Sequence, residues 1–302
     1  MRDKYIFSIV IPTYNGEKTI GNLLNKIHLL IKNYTSEVII IDSSSTDGTI
    51  EVVNKHKYKF TKLVLKNITK SEFNHGGTRN LGAKLASGKY ICFLSQDVMP
   101  VGINMFARFS SNFQLDPRVV AVFGKQIPYE STPIEQLLDI LIWQEKLDKF
   151  TNSFGLLKLD KQSPFTNYGP QNYYLWWPMS NVISCYKRSY LLQNPFQQTA
   201  YGEDLQIGKH IIEQNMIKIY DNKIRVIHLQ KLDLQEYIHR LYLDLLIRDR
   251  MYLLKQPNNL DSKIRYILFK NSSMLHKVYY LSRVILSYLI KLIIVFNLRI
   301  TK

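Results

Sequence analysis

The chain has 302 residues, of which 46% are hydrophobic and 21% are charged, so it can bury a full core and is not of the disordered class. Its formal net charge of +16 indicates an anionic partner or working surface, and nucleotide phosphates, nucleic acid and acidic lipid headgroups all qualify. The two cysteines, Cys92 and Cys185, lie far apart in apolar segments, which argues against a disulfide framework and a thiolate metal site. We interpret both as small core residues.

The N-terminus has no signal-peptide pattern, because its apolar stretch is too short for an h-region and a turn follows at Pro12. We therefore expect the active part of the protein to stay in the cytoplasm.

The first third of the chain alternates short apolar segments with segments of helical spacing. Predicted strands cover 7–11, 38–41, 62–65 and 90–94, and predicted helices cover 17–31, a segment from Thr49 onward, and 79–87. Apolar strands that alternate with helices are typical of a parallel α/β sheet covered on both faces. Ligands bind beyond the carboxyl ends of such strands. Polar clusters follow Ile11, Ile41 and Leu94, so the sequence predicts a binding site at this edge.

The segment 42–49, DSSSTDGT, places two carboxylates after the second predicted strand. Asp42 directly follows the strand, where a carboxylate can accept hydrogen bonds from a base N–H or a ribose hydroxyl. We interpret Asp42 as a ligand-binding residue. Asp47 precedes a helix and is interpreted as its cap, a role that Ser45 and Thr46 can also take.

A second polar cluster, Ser95, Gln96 and Asp97, follows the strand 90–94. A carboxylate at this edge can hold a divalent cation against a diphosphate, because Mg²⁺ and Mn²⁺ favour oxygen ligands and use few protein carboxylates besides the substrate's phosphates. The alternative is that Asp97 is a cap or turn residue.

A third cluster, Glu203 and Asp204, follows Gly202 and begins a segment of helical spacing. The helix dipole alone explains two carboxylates at a helix start. A pair of them in a chain poor in acidic residues also suits a general base that deprotonates a hydroxyl. The residue chemistry leaves both interpretations open.

The C-terminal tail differs in composition from the rest, because Asp261 is its last acidic residue. Residues 278–296 are mostly apolar, with Arg283, Ser287 and Lys291 on one stripe. Each internal cation would cost about 2.5–3.5 kcal/mol near the centre of a spanning helix. We therefore favour a helix that lies in the membrane interface and is attracted to anionic lipid. A spanning helix, or one packed on its own domain or on a partner subunit, is the alternative.

Five ordered motifs resemble glycosyltransferase family 2, whose members have the GT-A fold. They are 8–15 (SIVIPTYN), 38–48 (VIIIDSSSTDG), 78–91 (TRNLGA followed by ASGKYI), 95–97 (SQD) and 202–205 (GEDL). The resemblance runs from about residue 7 to about residue 230. It implies a Rossmann-like α/β domain over 1–230, with a mostly parallel mixed sheet flanked by helices. Residues 231–302 would form a helical, membrane-associating extension.

Within the family, the segments 42–49 and 73–80 (FNHGGTRN) most resemble bacterial rhamnosyltransferases. Gln96, in place of the first aspartate of the metal-binding Asp-X-Asp motif, adds to that resemblance. It implies dTDP-L-rhamnose as the sugar donor, in the synthesis of O-antigens and capsules. Another UDP- or GDP-sugar is the alternative donor.

The resemblance also implies roles for single residues on the donor side. Pro12, Thr13, Tyr14 and Asp42 would contact the nucleotide, with Arg79 near its base or diphosphate.

The remaining donor-site and catalytic residues follow from the later motifs. Gln96 and Asp97 would also contact the donor, and Asp97 would bind Mg²⁺ or Mn²⁺ together with His228. A lone histidine is often structural, which is the alternative for His228. Gln96 supplies no charge, so metal binding is expected to be weaker than with two carboxylates, and Arg79 or His75 could meet part of the diphosphate charge.

The implied mechanism is a single in-line displacement with inversion. Asp204, rather than Glu203, is our choice for the base that takes the proton of the acceptor hydroxyl. Trp177 and Asn181 lie in 176–181 (WWPMSN), which we interpret either as a wall of the acceptor site or as ordinary core. The acceptor would be a saccharide, either free or linked to polyprenyl diphosphate, at the inner face of the bacterial plasma membrane.

Other functions fit the sequence less well. A nucleotidyltransferase would usually carry a glycine-rich phosphate loop with a lysine after its first strand, and a dinucleotide-dependent oxidoreductase would carry G-x-G-x-x-G. Neither pattern is present. Nucleic-acid binding is disfavoured because much of the basic excess lies in the apolar tail. A catalytically inactive scaffold is the remaining alternative, supported mainly by Gln96.

Overall fold

The computed structural model describes residues 5–129, 134–162, 177–199, 201–229 and a few positions beyond, namely 236–240, 242, 243, 285, 288 and 289. Of residues 134–139 it describes the backbone only. The boundary predicted at 230 and most of the predicted interfacial helix at 278–296 lie outside the described residues, so both stay predictions. In the part of the chain that is described, no helix combines the length and the apolar character needed to cross a membrane.

The described elements alternate between strands and helices over residues 5–94. The strands are β1 (Tyr5–Thr13), β2 (Ser36–Asp42), β3 (Leu63–Asn67), β4 (Gly88–Leu94), β5 (Val98–Val101), β6 (Val119–Pro128), β7 (Leu156–Leu159), β8 (Ile183–Lys187) and β9 (Ile217–His228). The helices are α1 (Glu17–Leu30), α2 (Thr49–His56), α3 (His75–Leu85), α4 (Met105–Asn112), α5 (Ile134–Asp148), α6 (Arg188–Gln193) and α7 (Glu203–Glu213).

All of the described strands belong to one sheet, in the order β3-β2-β1-β4-β8-β6-β9-β5, with β7 also paired to β9. The first four strands in this order are parallel to one another, as the sequence predicts. Beyond β4 the sheet is mixed. Strand β8 is antiparallel to β4 and β6, β5 and β7 are antiparallel to β9, and β6 and β9 are parallel. The expectation of a mostly parallel sheet is therefore correct for the first half and wrong for the second.

Strand β1 explains why the first strands are apolar on both faces. Ile9 and Ile11 pack with helix α1 in one buried cluster, whereas Val10 belongs to a second cluster with Ile39 and Phe93 on the opposite face. Neighbouring residues of a strand point to opposite faces, so a sheet covered on both sides requires an unbroken apolar segment.

Helix α3 begins one turn earlier than the sequence predicts. The side chain of Asn74 accepts a hydrogen bond from the N–H of Gly77 at 2.6 Å, which caps the helix at its first turn. Gly76 lies against the backbone of Gln197, where an added Cβ would approach the carbonyl oxygen to 1.9 Å. The glycines that look like a loop in the sequence therefore allow close packing within a helix.

Cys92 and Cys185 are both buried core residues, as predicted. The structure adds that they lie directly opposite each other on β4 and β8, with their Sγ atoms 2.9 Å apart. Burial raises the pKa of the Cys185 thiol, and the adjacent Cys92 adds to this effect.

Glu37 connects the strands of the parallel half through a buried carboxylate. It accepts hydrogen bonds from the hydroxyl of Ser8 at 2.6 Å and from the N–H and hydroxyl of Ser87 at 2.6 and 2.8 Å, and it pairs with Lys62 at 2.5 Å. Burial alone would raise the pKa of Glu37, but these four contacts outweigh it and lower the pKa. The carboxylate therefore joins β1, β2 and the segments before β3 and β4.

We expect Glu37→Ala to lower the free energy of unfolding by about 3 kcal/mol, because it leaves several buried donors without an acceptor. Urea titration would measure this loss. The contribution of Glu37 should be constant above the ordinary carboxyl pKa of 4.5 and decrease in more acidic solution, since its folded pKa is lowered. Glu145→Ala removes an exposed partner of Lys149 and serves as the control, with an expected loss below about 0.5 kcal/mol. An equal loss for both variants would contradict the interpretation.

Candidate active site

Asp42 lies at the end of β2 with its carboxylate buried. Its Oδ1 accepts hydrogen bonds from the hydroxyls of Thr13 at 3.1 Å and Ser45 at 2.5 Å, and its Oδ2 accepts from the N–H of Ser45 at 2.8 Å. Thr13 is the last residue of the neighbouring parallel strand. It is paired with Asp42, just as Pro12 is paired with Ile41. The predicted nucleotide residues at the ends of β1 and β2 are thus brought together.

Asp47 binds the start of α2, although Gly48 and not Asp47 occupies the N-cap position. Its carboxylate accepts hydrogen bonds from the N–H and hydroxyl of Thr49, the first residue of α2, and from the N–H of Glu17, the first residue of α1. The Glu17 carboxylate in turn accepts from the N–H of Gly48 at 3.2 Å. The two loops after β1 and β2 are held to each other by this exchange.

The side chain of Gln96 connects the loops after β1 and β4, because it hydrogen-bonds to the backbone of Tyr14. Its Oε1 accepts from the N–H of Tyr14 at 2.9 Å, and its Nε2 donates to the carbonyl of Tyr14 at 2.8 Å. Gly16 leaves room for this amide, because an added Cβ would approach Oε1 to 2.4 Å. The ring of Tyr14 remains partly exposed, with the ammonium of Lys70 5.3 Å from its centre. Lys70 is a cation at this edge that the sequence analysis did not identify.

Asp97 and His228 are brought together, as the motif assignment predicts. Val98, next to Asp97, is paired with His228 across β5 and β9, and Oδ1 of Asp97 lies 3.4 Å from Nε2 of the imidazole. That Nε2 is buried and makes no hydrogen bond to the described residues. Burial works to raise the pKa of Asp97, but the contact with His228 outweighs it and lowers the pKa.

A series of polar side chains positions His228, and the sequence did not predict it. Nδ1 of His228 lies 2.9 Å from Oε1 of Gln126, whose Nε2 donates to the hydroxyl of Ser180 at 2.7 Å. The side-chain amide of Gln144 pairs with the backbone N–H and carbonyl of Gln126, both at 2.9 Å. These contacts orient the ring so that Nε2 faces Asp97. The sequence signal is weak, because a lone glutamine in a strand has many possible roles.

Glu203 begins helix α7 and is held inside the protein. Its Oε1 pairs with Nη1 of Arg79 at 3.1 Å and accepts a hydrogen bond from Nδ2 of Asn181 at 3.1 Å. Burial works to raise the pKa of Glu203, but the charge of Arg79 and the hydrogen bond from Asn181 act against it, and the pKa is lowered. Glu203 is therefore held as a negative charge, and its Oε1 already binds two protein groups.

Asp204, the next residue, has weaker ties. Its Oδ2 receives a hydrogen bond from the N–H of Asn181 at 3.4 Å and its Oδ1 one from the N–H of Leu205 at 2.8 Å. Burial, together with the negative charge of Glu203, raises the pKa of Asp204 to about 7. Two adjacent carboxylates therefore differ: one is permanently charged, and the other exchanges a proton near neutral pH.

His75 and Arg79, which are predicted to lie near the diphosphate, both contact groups inside the protein. Burial lowers the pKa of His75 to about 4, a shift that the neighbouring cations reinforce, so the ring is neutral and supplies no positive charge at pH 7. Arg79 is buried and its Nη1 binds the carbonyl of His75 at 3.0 Å as well as Glu203. The positive charge of Arg79 therefore compensates the buried negative charge of Glu203.

Trp177 and Asn181, the predicted acceptor residues, are both buried. The amide oxygen of Asn181 accepts from the hydroxyls of Ser184 and Tyr186, each at 2.8 Å, and its nitrogen donates to Glu203. The ring of Trp177 packs in the core with the ammonium of Lys209 4.6 Å from its centre. The described geometry gives Asn181 the role of positioning the two carboxylates.

We expect Arg79→Gln to destabilise the fold by about 3 kcal/mol, because it leaves the buried Glu203 without its cation. The double variant Arg79→Gln/Glu203→Gln should recover most of this loss, since no uncompensated buried charge remains. Urea titrations of the three variants and the native chain would give the coupling. Additive losses would contradict a direct buried ion pair.

Residues 8–156 match the sequence profile of Glycosyl transferase family 2. The O-antigen chain rhamnosyltransferase WbaN of Salmonella anatum is 29% identical over 212 residues, which span 68% of this chain and 61% of that protein. The O-antigen chain rhamnosyltransferase RfbN of Salmonella typhimurium is 35% identical over 124 residues, or 41% of this chain and 38% of that protein. The matched segments thus span less than two thirds of either relative.

Solved structures share the fold at low sequence identity. The mannosyltransferase PcManGT of Pyrobaculum calidifontis, in complex with GDP-Man and Mn²⁺, has a TM-score of 0.56 at 15% identity and covers 94% of this chain and 74% of its own. Staphylococcus aureus TarS in complex with UDP has a TM-score of 0.54 at 18% identity, over 92% of this chain and 70% of its own. The described α/β architecture is therefore GT-A-like. The profile match, together with the curated relatives, identifies residues 8–156 of this chain as a glycosyltransferase family 2 domain.

Proposed function

We propose that this protein is an inverting glycosyltransferase that moves L-rhamnose from dTDP-L-rhamnose to a hydroxyl of a saccharide acceptor. The observation that carries the proposal is the pair of carboxylates at the start of α7. Glu203 is bound by Arg79 and Asn181, whereas Asp204 has few protein contacts. The Asp204 carboxylate is therefore available to accept a proton from the substrate. The O-antigen rhamnosyltransferases among the relatives support the choice of sugar. A UDP- or GDP-sugar is the alternative donor.

The nucleotide would bind across the ends of β1 and β2. Asp42 is held in place by Thr13 and Ser45, so its carboxylate is oriented before any ligand arrives. The exposed ring of Tyr14 offers a stacking surface for a base, and its backbone is fixed by Gln96. Preorganisation of this kind lowers the entropic cost of binding.

Asp97 and His228 would hold a divalent cation at the neighbouring edge. The fit rests on the buried Nε2 of His228, which lacks a hydrogen bond among the described residues and faces Oδ1 of Asp97 at 3.4 Å. An imidazole and a carboxylate suit Mn²⁺, and Mg²⁺ suits the carboxylate, with substrate oxygens supplying further ligands. When bound, such a cation would neutralise charge on the leaving diphosphate.

Catalysis would then proceed in one displacement. Asp204 accepts the proton of the acceptor hydroxyl as its oxygen forms a bond to the anomeric carbon. The bond from that carbon to the diphosphate oxygen breaks on the opposite side, so the configuration inverts and the nucleoside diphosphate leaves. Glu203 supports this step by keeping a negative charge beside the base, which favours proton uptake.

The acceptor is proposed to be a saccharide linked to polyprenyl diphosphate at the inner face of the bacterial plasma membrane. The basic apolar tail supports this location through its attraction to anionic lipid. An inactive scaffold is disfavoured for two reasons. Gln96, the departure from the family motif, has a structural role because it fixes the backbone of Tyr14. The chain also retains Asp97 and Asp204, the proposed metal ligand and base.

We expect turnover to rise with pH through an apparent pKa of about 7, because Asp204 accepts a proton only when it is ionised. Asp204→Asn should lower kcat at least about 100-fold. Glu203→Gln should move the acidic limb to lower pH, because loss of the neighbouring charge lowers the pKa of Asp204. Native rates in Asp204→Asn, or an unmoved limb in Glu203→Gln, would exclude this assignment.

A panel of dTDP-, UDP- and GDP-sugars, each with and without Mn²⁺ or Mg²⁺, would test the donor by release of nucleoside diphosphate. We expect release from dTDP-L-rhamnose, dependent on the cation and absent in Asp204→Asn. Release from another sugar would keep the class of enzyme and correct the donor. No release, together with no nucleotide binding by calorimetry, would favour the inactive scaffold.

A further inference from the structure

Two tight turns at the far end of β5 and before β7 each present a large apolar side chain to solvent. Ile103 follows Gly102 and is 78% exposed, and Phe154 precedes Gly155 and is 72% exposed. Both glycines have a positive φ, +79° and +78°, which lets each turn reverse within a few residues. Exposed apolar tips are costly in water and add nothing to the core, so they point to a contact outside the fold.

The two tips lie side by side and form one surface, which we call the turn patch. Ile103 and Phe154 line the same depression of about 430 Å³ together with Lys223 and Arg225 of β9. Phe154 also lines an adjoining depression of about 470 Å³, whose other apolar walls include Leu115 and Phe150. The patch therefore combines protruding apolar groups with exposed cations.

The charge of the turn patch is positive. Lys223 and Arg225 are exposed on the same side of β9, and the nearby acidic group, Asp221, is buried and already bound by Arg108 and Asn112. The patch cations are thus available to an anionic partner.

We propose that the turn patch docks on a lipid bilayer that contains anionic phospholipid, with Ile103 and Phe154 entering the headgroup layer. Apolar side chains that insert, surrounded by cations that meet lipid phosphates, are the chemistry of interfacial binding. A second copy of this chain is disfavoured as the occupant, because its net charge of +16 would repel the patch. The segment beyond Asp261 is disfavoured for the same reason, since all of its charged residues are basic.

The turn patch is close to the candidate active site along the sheet. Arg225 precedes His228 by three residues on β9, a distance of about 10 Å at the usual rise of a strand. Docking at the patch would hold that edge near the membrane, where a lipid-linked acceptor resides. This consequence rests on the proposed function, whereas the docking itself does not.

Sedimentation of the full chain with vesicles tests the proposal. The vesicles would contain either phosphatidylcholine alone or phosphatidylcholine with one third phosphatidylglycerol. We expect Ile103→Asp/Phe154→Asp to lower the partition coefficient on the anionic vesicles at least about tenfold, because two inserted apolar groups are replaced by charges that lipid phosphates repel. The matched control, Leu29→Asp/Tyr58→Asp, makes the same change at two exposed apolar positions outside the patch and should bind as the native chain does.

A second variant separates charge from insertion. Lys223→Gln/Arg225→Gln should weaken binding to anionic vesicles and leave binding to neutral vesicles unchanged. An unchanged partition for Ile103→Asp/Phe154→Asp, equal losses in the control, or no binding of the native chain would overturn the proposal. Nucleoside diphosphate release in the absence of vesicles should be the same for every variant, so a failed docking test and a failed function are distinguishable.

Discussion

Arg79 and Glu203 form a buried ion pair that joins helix α3, in the parallel half of the sheet, to the first residue of helix α7, in the mixed half. Removal of either charge would leave the other in a poorly solvated interior, so the two halves are held in one relative position. Asn181 donates a hydrogen bond to Glu203. It lies just before β8, the strand that pairs with β4 of the parallel half and with β6 of the mixed half. The position of Asp204 depends on this arrangement.

The consequence of the ion pair is a division of roles between adjacent acids. Glu203 is compensated by Arg79, so it stays charged despite its burial. Asp204 is only partly buried, but loss of solvation and the charge of Glu203 both act on it, and no cation lies at hydrogen-bonding distance among the described residues, so its pKa rises to about 7. The same type of side chain thus obtains two different proton affinities from one local structure.

The candidate site assembles contributions from the two halves of the sheet. Asp42 and Thr13 come from the parallel strands, where consecutive carboxyl ends meet at one edge. His228 is the last residue of β9, which belongs to the mixed half of the sheet and pairs with β5 and β6. Gln96 connects the loops after β1 and β4 through two hydrogen bonds with the backbone of Tyr14, so this departure from the expected metal motif adds rigidity to the site.

The sequence by itself determined the parallel half of the fold, the resemblance to the family and the choice of candidate residues, because apolar segments of strand length, the polar residues after them and the ordered motifs are local features. Only the tertiary structure decided that Cys92 and Cys185 are neighbours, that half of the described strand pairings are antiparallel, and that Gln126 supports His228. It also decided that Arg79 forms a buried ion pair with Glu203. These relations join residues far apart in the chain, and they depend on strand register, burial and charge compensation, for which a local pattern carries no signal.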